Sequence, residues 1–194
     1  MRLKIGGIGG DHLVLLSLLA GSLGLNLYLG LELRHRPGLA SPPGRGLQRG
    51  EVVEALEMRD KGGTIRVFNF RGEPTVLYLF RPACPWCKRN LPAVNTLEES
   101  VRGRFRFVSV SLDDSGVTEV FQDESARGST YTLAPKAAAF AKRVPVVPMT
   151  VALSKDGVVL ETWAGAYAGD VKKSIEAYFG TKLASIRAAM AASP

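Results

Sequence analysis

The strongest constraint on this chain comes from its only two cysteines, Cys84 and Cys87, which are separated by Pro85 and Trp86. They follow the apolar run 76–80, which is typical of a buried strand, and they precede a helical pattern. Two thiols three residues apart at a strand-to-helix junction can close into a disulfide and reopen without moving the backbone. The motif therefore predicts redox chemistry at the start of a helix.

Three other uses of the two cysteines fit the sequence less well. A zinc site needs about four ligands, and the only histidines, His12 and His35, lie far from the cysteines in sequence. A structural disulfide stabilises mainly by closing a long loop, and this one would close almost none. Inert buried thiols would suit cysteine as a small hydrophobe, but Arg81, Lys88 and Arg89 indicate an electropositive surface. We therefore predict neither a metal nor a bound cofactor.

The N-terminal segment differs from the rest of the 194 residues, whose 46% hydrophobic content suffices for one globular domain. Residues 13–31 run for 19 positions without a charge. At about 1.5 Å per helical residue this length spans the roughly 30 Å of bilayer hydrocarbon. A cleaved signal peptide would have a shorter apolar region and a nearby small-residue cleavage site, whereas charges follow here at 32–36. We predict an uncleaved single-pass anchor over residues 1–35; a cleaved signal and a buried core helix are the alternatives.

The first 50 residues also predict a linker and hold more than half of the net positive charge. Seven of the fifteen residues in 36–50 are Pro or Gly, which predicts a semi-extended linker before a domain over 51–194. Residues 1–50 hold six Lys and Arg against two acids, a net +4 that leaves +3 of the total +7 for the remainder. This excess of positive charge flanks the apolar segment. It is therefore better placed to contact anionic lipid headgroups than the phosphates of a nucleic acid. We predict contact with a lipid bilayer through residues 13–31 and no nucleic-acid partner.

The globular part alternates strand-like and helix-like patterns, which predicts an α/β fold with a mixed central sheet between layers of helices. Residues 113–134 are polar, with a short helix expected near 117–122, and Arg102, Arg104 and Arg106 are expected at a solvated strand edge. The other predicted elements are a hairpin over 52–58 and 64–70, a buried strand over 75–80, a helix over 85–100, a strand over 105–111, a helix over 137–143, a hairpin over 149–153 and 158–163, and an amphipathic helix from 169 to about 191.

With these elements the sequence resembles thioredoxin-fold proteins, and it is specifically similar to the membrane-anchored thiol-disulfide oxidoreductases of the TlpA/ResA type, within the redoxins. The resemblance covers about residues 50–180 and implies a thioredoxin-like three-layer α/β/α sandwich. It also implies an extracytoplasmic, periplasmic domain at the inner membrane. The motifs that carry it are the CxxC at a helix start, Pro92 eight residues after Cys84, Val147-Pro148 before a strand, and the turn and bulge glycines of the last hairpin, Gly157 and Gly165.

The two cysteines are expected to have different roles. Cys84, at the start of a helix, faces unpaired backbone N–H groups and the positive end of the helix dipole, so we expect it to be the nucleophile. Arg81 or Lys88 is expected to favour its thiolate further. Cys87, one turn along, is expected to be the buried resolving thiol that attacks the mixed disulfide. Pro85 suits the first helical turn and stiffens it.

Three further residues are expected to bind the substrate. Trp86 is expected to present its aromatic face to the partner; the alternative is a surface aromatic with no partner. The resemblance implies a cis peptide bond between Val147 and Pro148 that faces the disulfide, so that Val147 backbone groups pair with an extended client segment. Alternatively, Pro145 and Pro148 are plain residues at the start of a strand.

The chain departs from its relatives where an acid would be expected near the buried thiol. Thioredoxin keeps a buried Asp six residues before the first cysteine, where this chain has Tyr78. Many ResA-like proteins keep a Glu six residues after it, where this chain has Asn90. Deprotonation of the second cysteine is therefore expected to lack a carboxylate, unless Glu73, Asp113 or Glu161 reaches in from elsewhere.

These features together predict a membrane-tethered thiol-disulfide oxidoreductase that acts on protein thiols or disulfides and exchanges electrons with a separate redox partner. A peroxiredoxin-like peroxidase is the first alternative, but those enzymes place a Thr three residues before the peroxidatic Cys, where this chain has Arg81. A non-catalytic redoxin-fold assembly factor that only binds clients is the second. The basic residues after position 31 outnumber those before position 13, which by the positive-inside rule opposes an exported domain. The expectation of an extracytoplasmic domain therefore depends on the family resemblance.

Overall fold

The computed structural model describes residues 10–35, 46–113 and 129–186, and the chain divides into two compact units, 1–39 and 40–194. The first unit contains the helix α1, Gly10–His35. The apolar side chains described in α1, such as Leu18 and Leu23, are exposed. Among the described residues, no helix has the length and apolar character needed to cross a membrane. The predicted membrane segment over 13–31 is therefore not confirmed.

The second unit is built on a seven-stranded mixed sheet, as counted over the described residues, with strand order β2-β1-β5-β4-β3-β6-β7. Strands β3, β4 and β5 run parallel, and the other neighbours pair antiparallel. The predicted mixed α/β sheet is confirmed. Its elements are β1 Leu56–Arg59, β2 Ile65–Phe68, β3 Thr75–Phe80, α2 Pro85–Val101, β4 Arg106–Ser111, β5 Ser129–Leu133, a 3-10 turn Pro135–Ala137, α3 Ala138–Ala141, β6 Met149–Leu153, β7 Val159–Ala164 and α4 Gly169–Phe179.

Strand β3 occupies an interior position and is buried along its whole length. Because both faces of such a strand are covered, it reads as a continuous apolar run in the sequence. Its side chains nevertheless alternate: Val76, Tyr78 and Phe80 pack in one core cluster with α2 and α4, whereas Leu77 and Leu79 pack in the cluster on the opposite face. The carboxyl end of β3 leads directly into the turn before α2, where the cysteines lie.

Helix α2 begins at the predicted position because its first turn is well suited to helix initiation. Pro85 stands at that turn, where its missing N–H costs nothing. Farther along, Pro92 lies inside the helix, and the Thr96 hydroxyl donates to its carbonyl oxygen at 2.9 Å. The buried face of α2 packs on the cluster that contains Tyr78. The helix thus holds its N-terminus against the sheet.

Strand β5 was missed by the sequence analysis, which treated residues 113–134 as polar. Its sequence, STYTL, carries four hydroxyl residues that mask the apolar pattern. Strand β5 lies between β1 and β4 in the sheet. Because of these neighbours, Thr130, Thr132 and Leu133 are buried. The short helix expected near 117–122 lies outside the described residues.

The arginine cluster does not lie on an edge strand, since β4 is inside the sheet, but Arg102 and Arg104, which precede the strand, are exposed as predicted. Arg106 lies over the Phe68 ring at 4.5 Å and donates to the Thr75 hydroxyl at 3.1 Å. Arg104 donates to the Phe179 carbonyl oxygen at 2.9 Å. These side chains tie the start of β4 to neighbouring elements.

The boundaries of two helices and of the linker also differ from expectation. The last helix ends at Gly180 rather than near 191, because that glycine has a left-handed conformation (φ 65°) and Thr181 N–H closes the turn on Glu176. The helix expected over 137–143 is a 3-10 turn followed by the four residues of α3. Residues 46–50 of the predicted linker pack on the domain, with Leu47 in its core.

Candidate active site

Cys84 lies at the junction between β3 and α2, as the N-cap of the helix, in an extended conformation (φ −77°, ψ 114°). Its backbone N–H donates to the Arg81 carbonyl oxygen at 3.0 Å, which closes the turn between strand and helix. Its sulfur accepts a hydrogen bond from the backbone N–H of Cys87 at 3.3 Å. This half-buried sulfur therefore caps one of the backbone N–H groups that have no partner within the helix.

Cys87 lies one turn further along and is completely buried. Both cysteines are free thiols. Burial, above all, raises the pKa of the Cys87 thiol well above its ordinary value, and the neighbouring Cys84 side chain adds to the shift. The site therefore holds one accessible sulfur and one buried sulfur that resists ionisation.

The loop before β6 brings a distant segment onto Cys84. The peptide bond between Val147 and Pro148 is cis, in agreement with what the resemblance implies. The Cys84 thiol donates to the Val147 carbonyl oxygen at 3.8 Å, although the two residues are 63 positions apart. Pro148 is buried, and its carbonyl oxygen accepts from the Gly165 N–H at 2.7 Å. The cysteine motif and the cis proline thus form one site.

Exposed apolar side chains adjoin both parts of this site. The side chain of Trp86, between the cysteines, is 50% exposed, and so is that of Val146, which precedes the residue in contact with Cys84. The Arg89 guanidinium lies over the Trp86 ring, 4.7 Å from its centroid. An accessible sulfur between exposed apolar groups is suited to contact a polypeptide.

The two cations expected beside Cys84 are placed differently. The Arg81 guanidinium binds the Asp113 carboxylate at 3.1 Å, so a carboxylate shares its charge. Lys88 is exposed. The structure places the N–H of Cys87, rather than either cation, on the Cys84 sulfur. The helix start therefore supplies the hydrogen-bond donor to this sulfur.

The positions where relatives carry acids lie in a buried polar cluster. Tyr78 is almost completely buried, stacked on Phe80 with ring centroids 5.9 Å apart and edge-on to Tyr167 at 6.3 Å. Asn90 is completely buried, and its Oδ1 accepts from the backbone N–H of Tyr167 at 2.8 Å. The Tyr167 hydroxyl lies 2.5 Å from the Thr150 Oγ1. Tyr167 and Thr150 were not singled out from sequence, although a threonine in the apolar run of β6 is a recognisable signal.

Glu73, Asp113 and Glu161, the acids that could replace the missing carboxylate near Cys87, each form an ion pair with an arginine. The contributions that raise the pKa of Cys87 are burial and Cys84, and no carboxylate is among the groups that act on it. Across residues 10–35, 46–113 and 129–186, no three His, Cys, Asp or Glu side chains are grouped so as to hold a metal ion. The ion pairs of the three acids are Glu73 with Arg106 at 3.4 Å, Asp113 with Arg81 at 3.1 Å, and Glu161 with Arg49 at 3.4 Å.

Comparison with known proteins gives a clear result for the fold. No protein-family model and no curated protein sequence matches this chain. Among solved structures, the thioredoxin domain of a thiol-disulfide oxidoreductase from Bacteroides vulgatus is 17% identical, with a TM-score of 0.56 over 69% of this chain and 99% of that one. The chain has the thioredoxin fold.

Two further solved structures of this fold are similar to the chain. A thiol:disulfide interchange protein from Bacteroides sp. is 18% identical, with a TM-score of 0.55 over 69% of this chain and 91% of that one. A secreted disulfide oxidoreductase from Mycobacterium tuberculosis, homologous to E. coli DsbE, is 21% identical, with a TM-score of 0.50 over 63% and 94%. These three structures are described as thiol-disulfide oxidoreductases or interchange proteins, and they confirm the thioredoxin fold that the sequence resemblance implies. Identities this low establish the shared fold alone.

Proposed function

We propose that this protein is a thiol-disulfide oxidoreductase that exchanges disulfides with protein clients through Cys84 and Cys87. The observation that carries the proposal is the pairing of a half-buried sulfur at a helix start, contacted by a backbone N–H, with a buried thiol one turn away. An accessible sulfur suits attack on a client, and a buried neighbour suits resolution of the adduct. Neither step needs a metal or a bound cofactor.

The proposed reaction proceeds in two exchanges. The Cys84 thiolate attacks a client disulfide, one client sulfur leaves as a thiolate and takes up a proton, and a mixed disulfide forms. Cys87 then loses its proton and attacks the Cys84 sulfur, which forms the Cys84–Cys87 disulfide and releases the second client thiolate. The client gains two electrons, and a dithiol redox partner must return two to the protein. The reverse sequence oxidises a client dithiol.

The client would bind beside the cis proline. The Val147 carbonyl oxygen, already within reach of Cys84, can accept a hydrogen bond from an extended client backbone, as in strand addition. Trp86 and Val146 offer apolar contact area on either side. Pro148 holds this segment in position, while Pro85 stiffens the first turn of α2. Exposed Lys88 adds positive charge at the same helix start.

Reduction of insulin by dithiothreitol tests the proposal. We expect the wild-type chain to accelerate precipitation of the insulin B chain well above the rate with dithiothreitol alone. The variant with Cys84→Ser and Cys87→Ser is the matched control, because it keeps the fold and lacks both thiols. A wild-type rate equal to that of the double variant would contradict the proposal. Turnover of hydrogen peroxide without insulin reduction would favour the peroxidase alternative, and equal client binding by the double variant would favour the assembly factor.

We also propose that the domain is extracytoplasmic and attached to the inner membrane through residues 13–31. The support is the charge-free run of 19 residues and the exposure of the apolar side chains described in α1. Attachment is most useful where disulfides persist, outside the cytoplasm.

Membrane attachment predicts that the full chain remains in the membrane fraction after carbonate extraction, whereas a chain that begins at residue 36 is released. A reporter fused after Pro194 should be active on the outer side of the membrane. A full-length fusion that is active only in the cytoplasm would contradict the orientation, and complete extraction by carbonate would contradict the anchor.

A further inference from the structure

The buried side of the site contains two polar atoms that have no hydrogen-bond partner among the described residues: the Tyr78 hydroxyl and the Asn90 Nδ2. Tyr78 is 1% exposed and Asn90 is 0% exposed, so bulk solvent does not reach either side chain. Buried polar groups are nearly always paired, because an unmet hydrogen bond is costly. Two such groups in one cluster with a reactive cysteine therefore suggest a role in another state of the site.

Both groups belong to the buried surroundings of Cys87. Tyr78 and Cys87 pack in the same core cluster, on the face of the sheet covered by α2. Asn90 follows Cys87 by three residues on α2, and residues at this spacing share one face of a helix. The Tyr167 N–H holds the Asn90 Oδ1 at 2.8 Å, so the amide N–H groups form the free end of this side chain. The Asn90 amide N–H groups are therefore available to donate to a neighbouring acceptor.

We propose that the Tyr78 hydroxyl donates a hydrogen bond to the Cys87 sulfur when that sulfur is a thiolate, and that Asn90 is a positioning residue that donates to the Tyr78 oxygen. This inference rests on the proposed thiol-disulfide exchange. Three donors then run in one direction: Tyr167 N–H to the Asn90 oxygen, Asn90 N–H to the Tyr78 oxygen, and Tyr78 O–H to the sulfur. Such a chain stabilises an anion at its end without any net charge.

The protonation of Tyr78 supports a donor role rather than a base. Burial, first, and then the neighbouring Cys87 raise the pKa of Tyr78 well above its ordinary value, while the nearby polar side chain of Asn90 acts in the opposite sense. The hydroxyl therefore keeps its proton at neutral pH. The titratable groups acting on it are Cys87 and Cys84 of α2 and Tyr167 after β7, and none of these described groups is a carboxylate or a cation.

In the resolving step, the Cys87 thiol gives its proton to solvent base, its sulfur attacks Cys84, and the departing client thiolate takes up a proton. Tyr78 and Asn90 gain and lose no proton. Their effect is to increase the fraction of Cys87 present as thiolate at a given pH. The rate of resolution is proportional to that fraction, so loss of the donor should appear as a displaced pH profile.

The test compares full-length Tyr78→Phe with the wild-type chain. Release of a fluorescent client after mixed-disulfide formation is followed by stopped flow from pH 6 to 9. A hydrogen bond to an anionic sulfur corresponds to about tenfold in thiolate population, so release should slow about tenfold and its pH profile should move up by about one unit. Alkylation of Cys84 by iodoacetamide, which does not involve Cys87, should keep its wild-type rate.

Thr150→Val is the matched control. Thr150 is buried, is the in-register partner of Tyr78 on β6, and loses a hydroxyl that contacts Tyr167 rather than the proposed chain to sulfur. We expect Thr150→Val to lower thermal stability without moving the pH profile of release. Asn90→Ala, which keeps the tyrosine, should slow release about threefold, as expected for partial loss of one hydrogen bond. A Tyr78→Phe profile that coincides with that of Thr150→Val would overturn the proposal.

A second readout separates this inference from the proposed function. If the wild-type chain releases no client at any pH, the proposed function fails. The role of Tyr78 is then tested by the reactivity of the Cys87 thiol, without a client. In a Cys84→Ser background, alkylation of Cys87 is measured by mass spectrometry at pH 9 with and without Tyr78→Phe. A rate about tenfold lower with Tyr78→Phe supports the donor; equal rates overturn it.

Discussion

Replacement of Cys84 by serine is expected to abolish insulin-disulfide reduction, whereas replacement of Cys87 by serine should trap a covalent adduct with the client. Only Cys84 is accessible, and its sulfur already accepts the Cys87 N–H at the start of α2. Cys87 is completely buried and cannot meet a client directly. Without Cys87 the mixed disulfide has no internal nucleophile to resolve it, so the adduct should persist.

Mass spectrometry under non-reducing conditions measures this result as a one-to-one adduct, and dithiothreitol should release it. The Cys84→Ser chain serves as the control, because it retains one thiol of the motif and should form no adduct. An adduct on Cys84→Ser and none on Cys87→Ser would reverse the two roles.

The rate of client release should rise about tenfold for each pH unit from pH 5 to 9, without a plateau. Burial raises the pKa of Cys87 well above this range, so the thiol dominates throughout and the thiolate fraction grows tenfold per unit. Each of the three candidate acids, Glu73, Asp113 and Glu161, forms an ion pair with an arginine. Over these four units the rate should change about ten-thousandfold.

Stopped flow with a labelled client disulfide gives the measurement, with formation of the mixed disulfide recorded separately to isolate the second step. A plateau near pH 6 to 7 would contradict the prediction and mean that another group accepts the proton. Replacing Glu73, Asp113 and Glu161 in turn by their amides would then identify it. Arg66→Gln, on the distant edge strand β2, is a control for a general change in charge.

Local features of the site were predictable from sequence because they depend on neighbouring residues. The apolar run of β3, the proline in the first helical turn and the three-residue spacing of the cysteines together predict the bounds of β3 and the start of α2. The same pattern predicts which cysteine is accessible and which is buried. The lack of an acid at Tyr78 and Asn90 was visible for the same reason, since both positions lie a fixed number of residues from Cys84 along the sequence.

Strand β5 and the final helix show where local pattern was insufficient. The hydroxyl residues of β5 are buried only because β1 and β4 flank it, and no local period reports that position in the sheet. The amphipathic pattern continued beyond Phe179, but a left-handed Gly180 ends the helix. Burial in a sheet interior and a single backbone conformation decided these two outcomes.

The sequence by itself determined the chemistry available to this protein: two thiols at a helix start and no neighbouring acid within the same motif. Only the tertiary structure decided what surrounds them. It brought Val147 onto Cys84, paired Arg81 with Asp113 and fixed Asn90 through Tyr167. These partners are far apart along the chain, and their contacts depend on strand order and helix packing, which a local pattern of residues does not specify.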